Sequence, residues 1–368
     1  MTARNASGEP VAHAGDQPRD GAAVRLERLE PQDTRWAAFL GNAREATIFH
    51  HAEWLLLISR SYGYRVDVQC VVDAGGRIRA GLPLALVSSR LTGRRLVCVP
   101  FADHAAPLTT AGDNDAGAVL GRALRAATDA ARVPVYVHGR LPPGPGVNVF
   151  ARYHHHTLPL HEDVDRVVRG FRRRSSLLRG ARRAEREGLR YERRTDPDAL
   201  RAFYRLNQLT RRRLGVPVQP RRFIMGLSAL MQRGLGFVGV VRDGERAVAA
   251  GVFLTLGRTL FYKYGASDPR ALGKRPNNLL FVEVIRAACQ EGMKWLDFGR
   301  TDLGHESLRT FKLSFGAEER ELEYHAIGPQ TIADRPTDRH ADRLAPVLRH
   351  SPLLLNRAIG ELLYRHVG

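Results

Sequence analysis

The chain has only three cysteines in 368 residues, Cys70, Cys98 and Cys289. An odd, scattered set of this kind builds no disulfide framework and spaces no zinc site. Each lies in an apolar run, where a thiol packs as a small hydrophobe. No apolar stretch is long enough to cross a bilayer. The first residues carry Glu9, Asp16 and Asp20 and lack the apolar centre of a secretory signal. These absences predict a cytoplasmic protein. There is no P-loop, no zinc motif and no Ser/His/Asp order. Gly234-Leu235-Gly236 precedes a strand instead of following one, so it is no dinucleotide loop. Acidic residues are scarce, 38 against 57 Lys and Arg, which gives a formal charge of +19. That excess attracts anionic partners: nucleic acid, nucleotide-linked sugars, polyprenyl phosphates, coenzyme A or a lipid surface. An arginine-rich composition along the whole chain accounts for it equally well.

A hydrophobic fraction of 43% is that of a globular protein with a true core, and the length favours two domains. Residues 1–23 are rich in Ala, Gly, Asp and Pro, as disordered segments are. Asp33 or Thr34 caps a helix anchored by Trp36 and Phe39. Val66–Val72 and Ile78–Ser88 flank the Asp73-Ala74-Gly75-Gly76 turn as a hairpin, with Pro83 marking an edge or bulge. Arg95–Val99 is a third strand, and Asp103-His104 follow its end, either as a turn with a capping aspartate or as chemistry placed at a strand end. His154-His155-His156 invites a metal reading. Neighbours on a strand point to opposite faces, so only His154 and His156 can converge, and no third ligand is spaced to join them. No metal site is expected. The second half repeats this plan coarsely, with Gly236–Val241 and Ala247–Leu256 around Asp243-Gly244. The boundary falls near 162–170.

Residues Phe171 to Arg194 hold ten arginines and three glutamates. Ser175 or Ser176 caps a helix there, with Arg179, Arg182 and Arg183 around a modest apolar stripe. Guanidinium forks suit phosphate, and a solvated surface helix explains the pattern as well. The tail, Leu344 to Val367, mixes leucines with Arg349, Arg357 and Arg365. Such a basic amphipathic helix either packs on the protein or lies on an anionic membrane.

The densest information lies between Thr259 and Tyr324. An alternating strand, Leu260 to Gly265, is followed by a loop and by a helix opening at Asn277-Asn278. A second strand, Lys294 to Gly299, follows, and then a polar loop, a short helix and a third strand. Ligands of such βαβ-like units bind where strand gives way to helix. Strict alternation puts Tyr262 and Tyr264 on one face and Lys263 on the other. Asp297 sits on the neighbouring strand and Arg300 just past its end. Asn277 and Asn278 can cap the helix and bind substrate. His305 beside Glu306 is a possible base.

Four segments in this region, Tyr262-Lys263-Tyr264-Gly265-Ala266-Ser267, Pro276-Asn277-Asn278-Leu279-Leu280, Asp297-Phe298-Gly299-Arg300 and Phe311-Lys312-Leu313-Ser314-Phe315-Gly316, resemble a known family. It is the Fem-type aminoacyltransferase and peptidoglycan-bridge branch of the GCN5-related N-acyltransferase (GNAT) superfamily. The nearest members are the FemAB-like proteins of exopolysaccharide and PEP-CTERM gene clusters, where a turn like Asp103-His104 also recurs. The resemblance implies an α+β protein of two tandem GNAT-like domains, each a mixed sheet flanked by helices. They would span 24–165 and 166–328, followed by a linker and basic helix at 329–368. It implies acyl or aminoacyl transfer to an amine or hydroxyl of a cell-envelope or exopolysaccharide precursor. Alternatives are a tRNA-dependent bridge enzyme and a phosphate- or nucleic-acid-binding protein without catalysis. No tightly bound cofactor is implied; the donor would be acyl-coenzyme A or aminoacyl-tRNA. The acyl-carrier loop of ordinary acetyltransferases corresponds to Arg270 to Arg275, where Arg270 and Gly273 match its pattern and Arg275 replaces the second small residue that a tight pyrophosphate turn needs. Lys312 matches a lysine that contacts phosphate and supports the transition state in the Fem-type relatives. Expected sites are therefore Lys312, Asp297, Tyr264 and His305 for chemistry. Tyr262, Lys263, Asn277, Asn278, Arg300, Asp103 and His104 would hold substrate. Arg270, Lys274, Arg275, Arg179, Arg182 and Arg183 would hold the carrier. A peripheral place on the inner membrane surface is compatible with the tail.

Overall fold

A computed structural model describes residues 24–171, 174–328 and 345–367. The expectations for residues 1–23 and for the polar linker at 329–343 lie outside the described residues. Thirteen strands form one sheet: β1 (Arg25–Leu29), β2 (Arg65–Val72), β3 (Ile78–Ser89), β4 (Gly93–Val97), β5 (Leu108–Thr109), β6 (Val135–Val137), β7 (Val147–Pro159), β8 (Leu189–Arg194), β9 (Gly236–Asp243), β10 (Arg246–Leu256), β11 (Thr259–Ser267), β12 (Trp295–Asp302) and β13 (Glu318–Ile327). Their order across the sheet is β1-β2-β3-β4-β6-β13-β7-β12-β11-β10-β9-β8, with β5 appended to β3. The helices cover its faces, so central strands such as β10 are buried on both sides from Val248 to Leu254.

The two halves are repeats of one plan that exchange a strand. β7, from the first half, lies between β13 and β12 of the second. β13, from the second half, lies between β6 and β7 of the first. Each half therefore closes its neighbour's sheet. Each also contains one parallel pair that touches only briefly. Leu96–Val97 of β4 pairs with Val135–Tyr136 of β6, and Thr259–Phe261 of β11 pairs with Trp295–Asp297 of β12. Beyond these contacts the strands separate, and the gap between β11 and β12 is where the site forms.

Local chemistry explains most boundaries. Asp196 caps the helix Pro197–Leu214 by accepting from Asp198 N and Ala199 N, proline opens it and left-handed Gly215 ends it. Pro83 sits in β3 where that strand passes from β5 to β4, so only its β2 edge is paired there. The third strand ends at Val97, two residues earlier than expected. Val99 and Phe101 beyond it take left-handed backbone angles, φ 46° and 63°, unusual for any residue with a Cβ and most of all for a β-branched one.

The core divides into two clusters. One runs through both halves, with Trp36, Phe49, Trp54, Phe203, Phe223 and Phe261. The other lies under the second half alone, with Phe237, Phe253, Phe281, Phe298 and Phe315. Phe261 belongs to the first and its neighbours Leu260 and Tyr262 to the second, so the clusters occupy opposite faces of β11.

Candidate active site

Strict alternation along β11 is broken at Lys263. Tyr262 pairs with Phe253 and Tyr264 with Val252, so Lys263 is the extra residue of a β-bulge. Tyr262 and Tyr264 therefore do not share a face, contrary to the expectation from period two. Tyr262 packs into the second-half cluster, edge-on to Phe281. Tyr264 packs with Phe203 and Phe223 of the other cluster. Lys263 turns to the same side as Tyr264, near the rings of Phe49 and Trp54. The bulge thus aims two consecutive polar side chains into one space between the halves.

The strained loop of the first half enters that space. Lys263 Nζ donates to Phe101 O at 2.7 Å and to Asp103 Oδ2 at 2.8 Å. Tyr324 Oη donates to Asp103 O at 2.5 Å. Burial lowers the Lys263 ammonium, and Asp103 offsets only part of that. On the opposite wall the Arg300 guanidinium lies over the rings of Tyr153 and Tyr324 and donates to Tyr324 Oη at 3.1 Å. Burial alone would lower it; Tyr324, Tyr153, Asp103 and Asp302 outweigh burial and hold it above its ordinary value.

Phe101, Asp103, Lys263, Tyr264 and Arg300 line a cavity of about 300 Å³. Arg211, Lys263 and Arg300 bring three cations to it against the single carboxylate of Asp103. Arg211 has no ion-pair partner among the described residues. Tyr62 also lines the wall, and its buried Oη has no hydrogen-bond partner. Tyr364, from the C-terminal helix Leu353–Val367, closes one side.

Behind Asp103 stands a second polar group. Asp297 accepts from His104 Nε2 at 2.7 Å through one oxygen. Its other oxygen takes His155 Nε2 at 2.9 Å and Gly299 N–H at 2.7 Å. The three side chains come from the first-half loop, from β7 and from β12, so the strand exchange assembles the cluster. Burial would raise the Asp297 carboxyl, but His104 and His155 outweigh it and hold it well below the carboxylate range. Burial would lower His104, and Asp297 outweighs it, so His104 is raised. The ligand atoms of His104, His155 and Asp297 lie within 4.8 Å of one another, a spacing that a metal ion could also use. The two N···O distances are those of charge-assisted hydrogen bonds.

Gly299 makes the close approach possible. Its φ is +67°, and a Cβ there would meet Asp103 Cγ at 3.0 Å. Gly299→Ala is expected to cost about 1–2 kcal/mol from the left-handed backbone alone, read as a lowered denaturant midpoint, and to displace the Asp103 carboxylate. An unchanged midpoint would contradict this packing.

Several expected residues lie elsewhere. Lys312 is 2% exposed, and its Nζ donates to the carbonyls of Gly299 and Arg300 at 3.0 and 2.9 Å. It braces the end of β12 from behind the cavity wall. Burial lowers it to about 8 despite Asp103, Asp297 and Asp302. His305 caps the helix Glu306–Ser314, accepting from Leu308 N at 3.3 Å. Asn278 donates to Leu177 O at 3.3 Å, tying the helix Pro276–Gln290 to the basic helix Arg174–Arg186; Asn277 is half-buried beside it. Gly180 makes that approach possible, because a Cβ there would meet Asn278 Nδ2 at 2.5 Å. In the carrier loop, Arg270 and the nearby Arg246 pair with buried Asp268, and Lys274 pairs with Asp243 at 2.6 Å. Arg275 takes a left-handed angle, φ 62°. Arg179, Arg182 and Arg183 are exposed, with Arg183 held by Glu187. His154 and His156 converge as expected, on Glu319.

Sequence reasoning missed Arg211, Tyr62 and His155. Arg211 reads as one of three adjacent arginines closing a helix, and Tyr62 as a core aromatic. Nothing in the local pattern sets either apart.

A mixed sheet with a splayed parallel pair, repeated in tandem, defines the class. Residues 172–312 match the acetyltransferase (GNAT) domain family. The chain has the GNAT-superfamily fold in tandem form and carries an acyltransferase domain. It is similar to the crystal structure of FemX at 15% identity, with 81% of this chain and 96% of that one covered and a TM-score of 0.63. The structure of L-PGS from Bacillus licheniformis follows at 14% identity, 87% and 97% coverage and a TM-score of 0.54. A conserved protein of unknown function from Bacteroides thetaiotaomicron gives 13%, 83% and 100%, and 0.54. At such identities the likeness is one of fold. No curated protein sequence matches the chain.

Proposed function

We propose that the inter-half cavity receives the phosphate-bearing acceptor of an acyl or aminoacyl transfer, a cell-envelope or exopolysaccharide precursor. One observation carries this reading: three buried or half-buried cations face one carboxylate, beside an orphaned tyrosine hydroxyl. Uncompensated buried charge and unpaired donors both raise the energy of the empty site. A phosphate or pyrophosphate supplies the missing charge and the missing acceptors.

The acceptor amine or hydroxyl then loses its proton to His104. Asp297 holds His104 by Nε2, which leaves Nδ1 to take the proton as the nucleophile attacks the acyl carbonyl. The bond from acyl carbon to carrier breaks as the tetrahedral intermediate collapses. The anionic carrier approaches from outside, along the exposed Arg179, Arg182 and Arg183. The start of helix Pro276–Gln290, where an ordinary carrier pyrophosphate would sit, is covered by the basic helix through the Asn278–Leu177 contact. That favours a donor held in a non-standard way, and aminoacyl-tRNA over acyl-coenzyme A.

Arg211 makes the test clean, since no ion pair depends on it. Arg211→Gln is expected to weaken binding of a nucleotide-diphosphate sugar about tenfold or more while the melting temperature stays put. The loss should shrink at high salt. Affinity equal to that of the unmodified protein at low salt would sink the assignment of the cavity.

A further inference from the structure

The C-terminal helix is bound to the protein on one side and apolar on the other as well. Inward, Asn356 accepts from Val218 N at 2.9 Å and donates to Val216 O at 3.3 Å. Gly360 lies flat against the Val218 carbonyl, which any Cβ would strike. The helix end is held equally firmly: Tyr64 Oη, Thr92 Oγ1 and Arg95 donate to the carbonyls of Arg365 and His366. A helix fixed in this way should present polar side chains to water.

It presents leucines instead. Leu354 is 77% exposed, Leu362 61% and Leu355 48%. With exposed Ala358 between them, they fall at helical spacing on one stripe, about 12 Å long from Leu354 to Leu362 at 1.5 Å per residue. The β3–β4 turn adds Leu91, 70% exposed, where Thr92 meets the helix end. Around this patch stand exposed Arg90, Arg94, Arg349 and Arg365. None of the four has an ion-pair partner among the described residues.

We propose that this face docks on an anionic lipid bilayer, the leucines entering the headgroup boundary and the arginines meeting lipid phosphates. Charge complementarity selects that occupant. A second copy placed on the same patch by two-fold symmetry would bring like arginines together, whereas an anionic surface draws them in. Docking would set the cavity, which Tyr364 of this same helix lines, beside the membrane. The proposal stands independently of the cavity assignment, because binding to vesicles is read without turnover.

The test is co-sedimentation of the full chain with vesicles of phosphatidylcholine alone or with one third phosphatidylglycerol. Binding is expected only with phosphatidylglycerol. Leu354→Glu/Leu362→Glu should reduce it at least tenfold with an unchanged melting temperature, and Leu91→Glu, on a different element, should reduce it severalfold. Failure of the unmodified chain to pellet with anionic vesicles overturns the proposal. So does undiminished binding by both folded variants, which would mean that other basic surfaces suffice. A dimer that the double glutamate variant disperses also overturns it, since a second copy would then cover the face.

Discussion

Asp297→Asn is expected to reduce kcat/KM by about 10² to 10⁴, the range spanned by positioned acid–base groups. The variant keeps the shape and the Gly299 contact but loses the charge that holds His104. The sharper readout is the pH profile. Asp297 holds the His104 pKa above its ordinary value, so the ascending limb of the unmodified enzyme should lie above about pH 6.5. Without the carboxylate, burial is left to dominate and the limb should move down. A variant with lowered rate but an unmoved limb would remove His104 from the chemistry and leave Asp297 a structural tie.

Lys263→Met should cost about 3 kcal/mol of stability, near the lower end for breaking a buried ion pair. Lys263 is 4% exposed in its side chain and Asp103 21%, so the stranded carboxylate keeps some water. The same change removes the donor that holds the carbonyl of Phe101 in its left-handed turn. Adding Asp103→Asn should restore part of the loss, because the uncompensated charge then disappears. Denaturant titration of both single variants and the double variant measures this directly. Additive effects would show that the pair is not coupled and that the bulge aims Lys263 to no electrostatic purpose. Precursor affinity should fall with Lys263→Met in either background.

The architecture was legible in the sequence where local rules decide it. The cap at Asp33, offered beside Thr34, and the two hairpins were readable, and so was the repeat of one plan across two halves. The strand exchange was not legible, because period-two patterning says that a strand exists and not which neighbour it finds. The bulge at Lys263 was missed for a related reason. Alternation assigns faces only while the register holds, and the slip against β10 is a property of the pair of strands. The site was half legible. Asp103, His104 and Arg300 stood out at strand ends and Lys263 and Asp297 within strands, and the fold brings the five together. Lys312 stood out equally, yet its ammonium braces two carbonyls. Arg211 and Tyr62 are brought to the cavity by packing alone, over separations that no motif spans.

The crossing of β7 and β13 also bears on how the molecule can be divided. The stretch that matches the acetyltransferase domain, residues 172–312, contains neither strand. Excised, it would bare the β12 edge that β7 now satisfies, and with His155 and the Asp103 loop gone it would hold an aspartate with no histidine to face. Covalent continuity is not what joins the halves: a chain nicked in the connection near residue 170 could stay assembled and active, whereas either piece made alone would not.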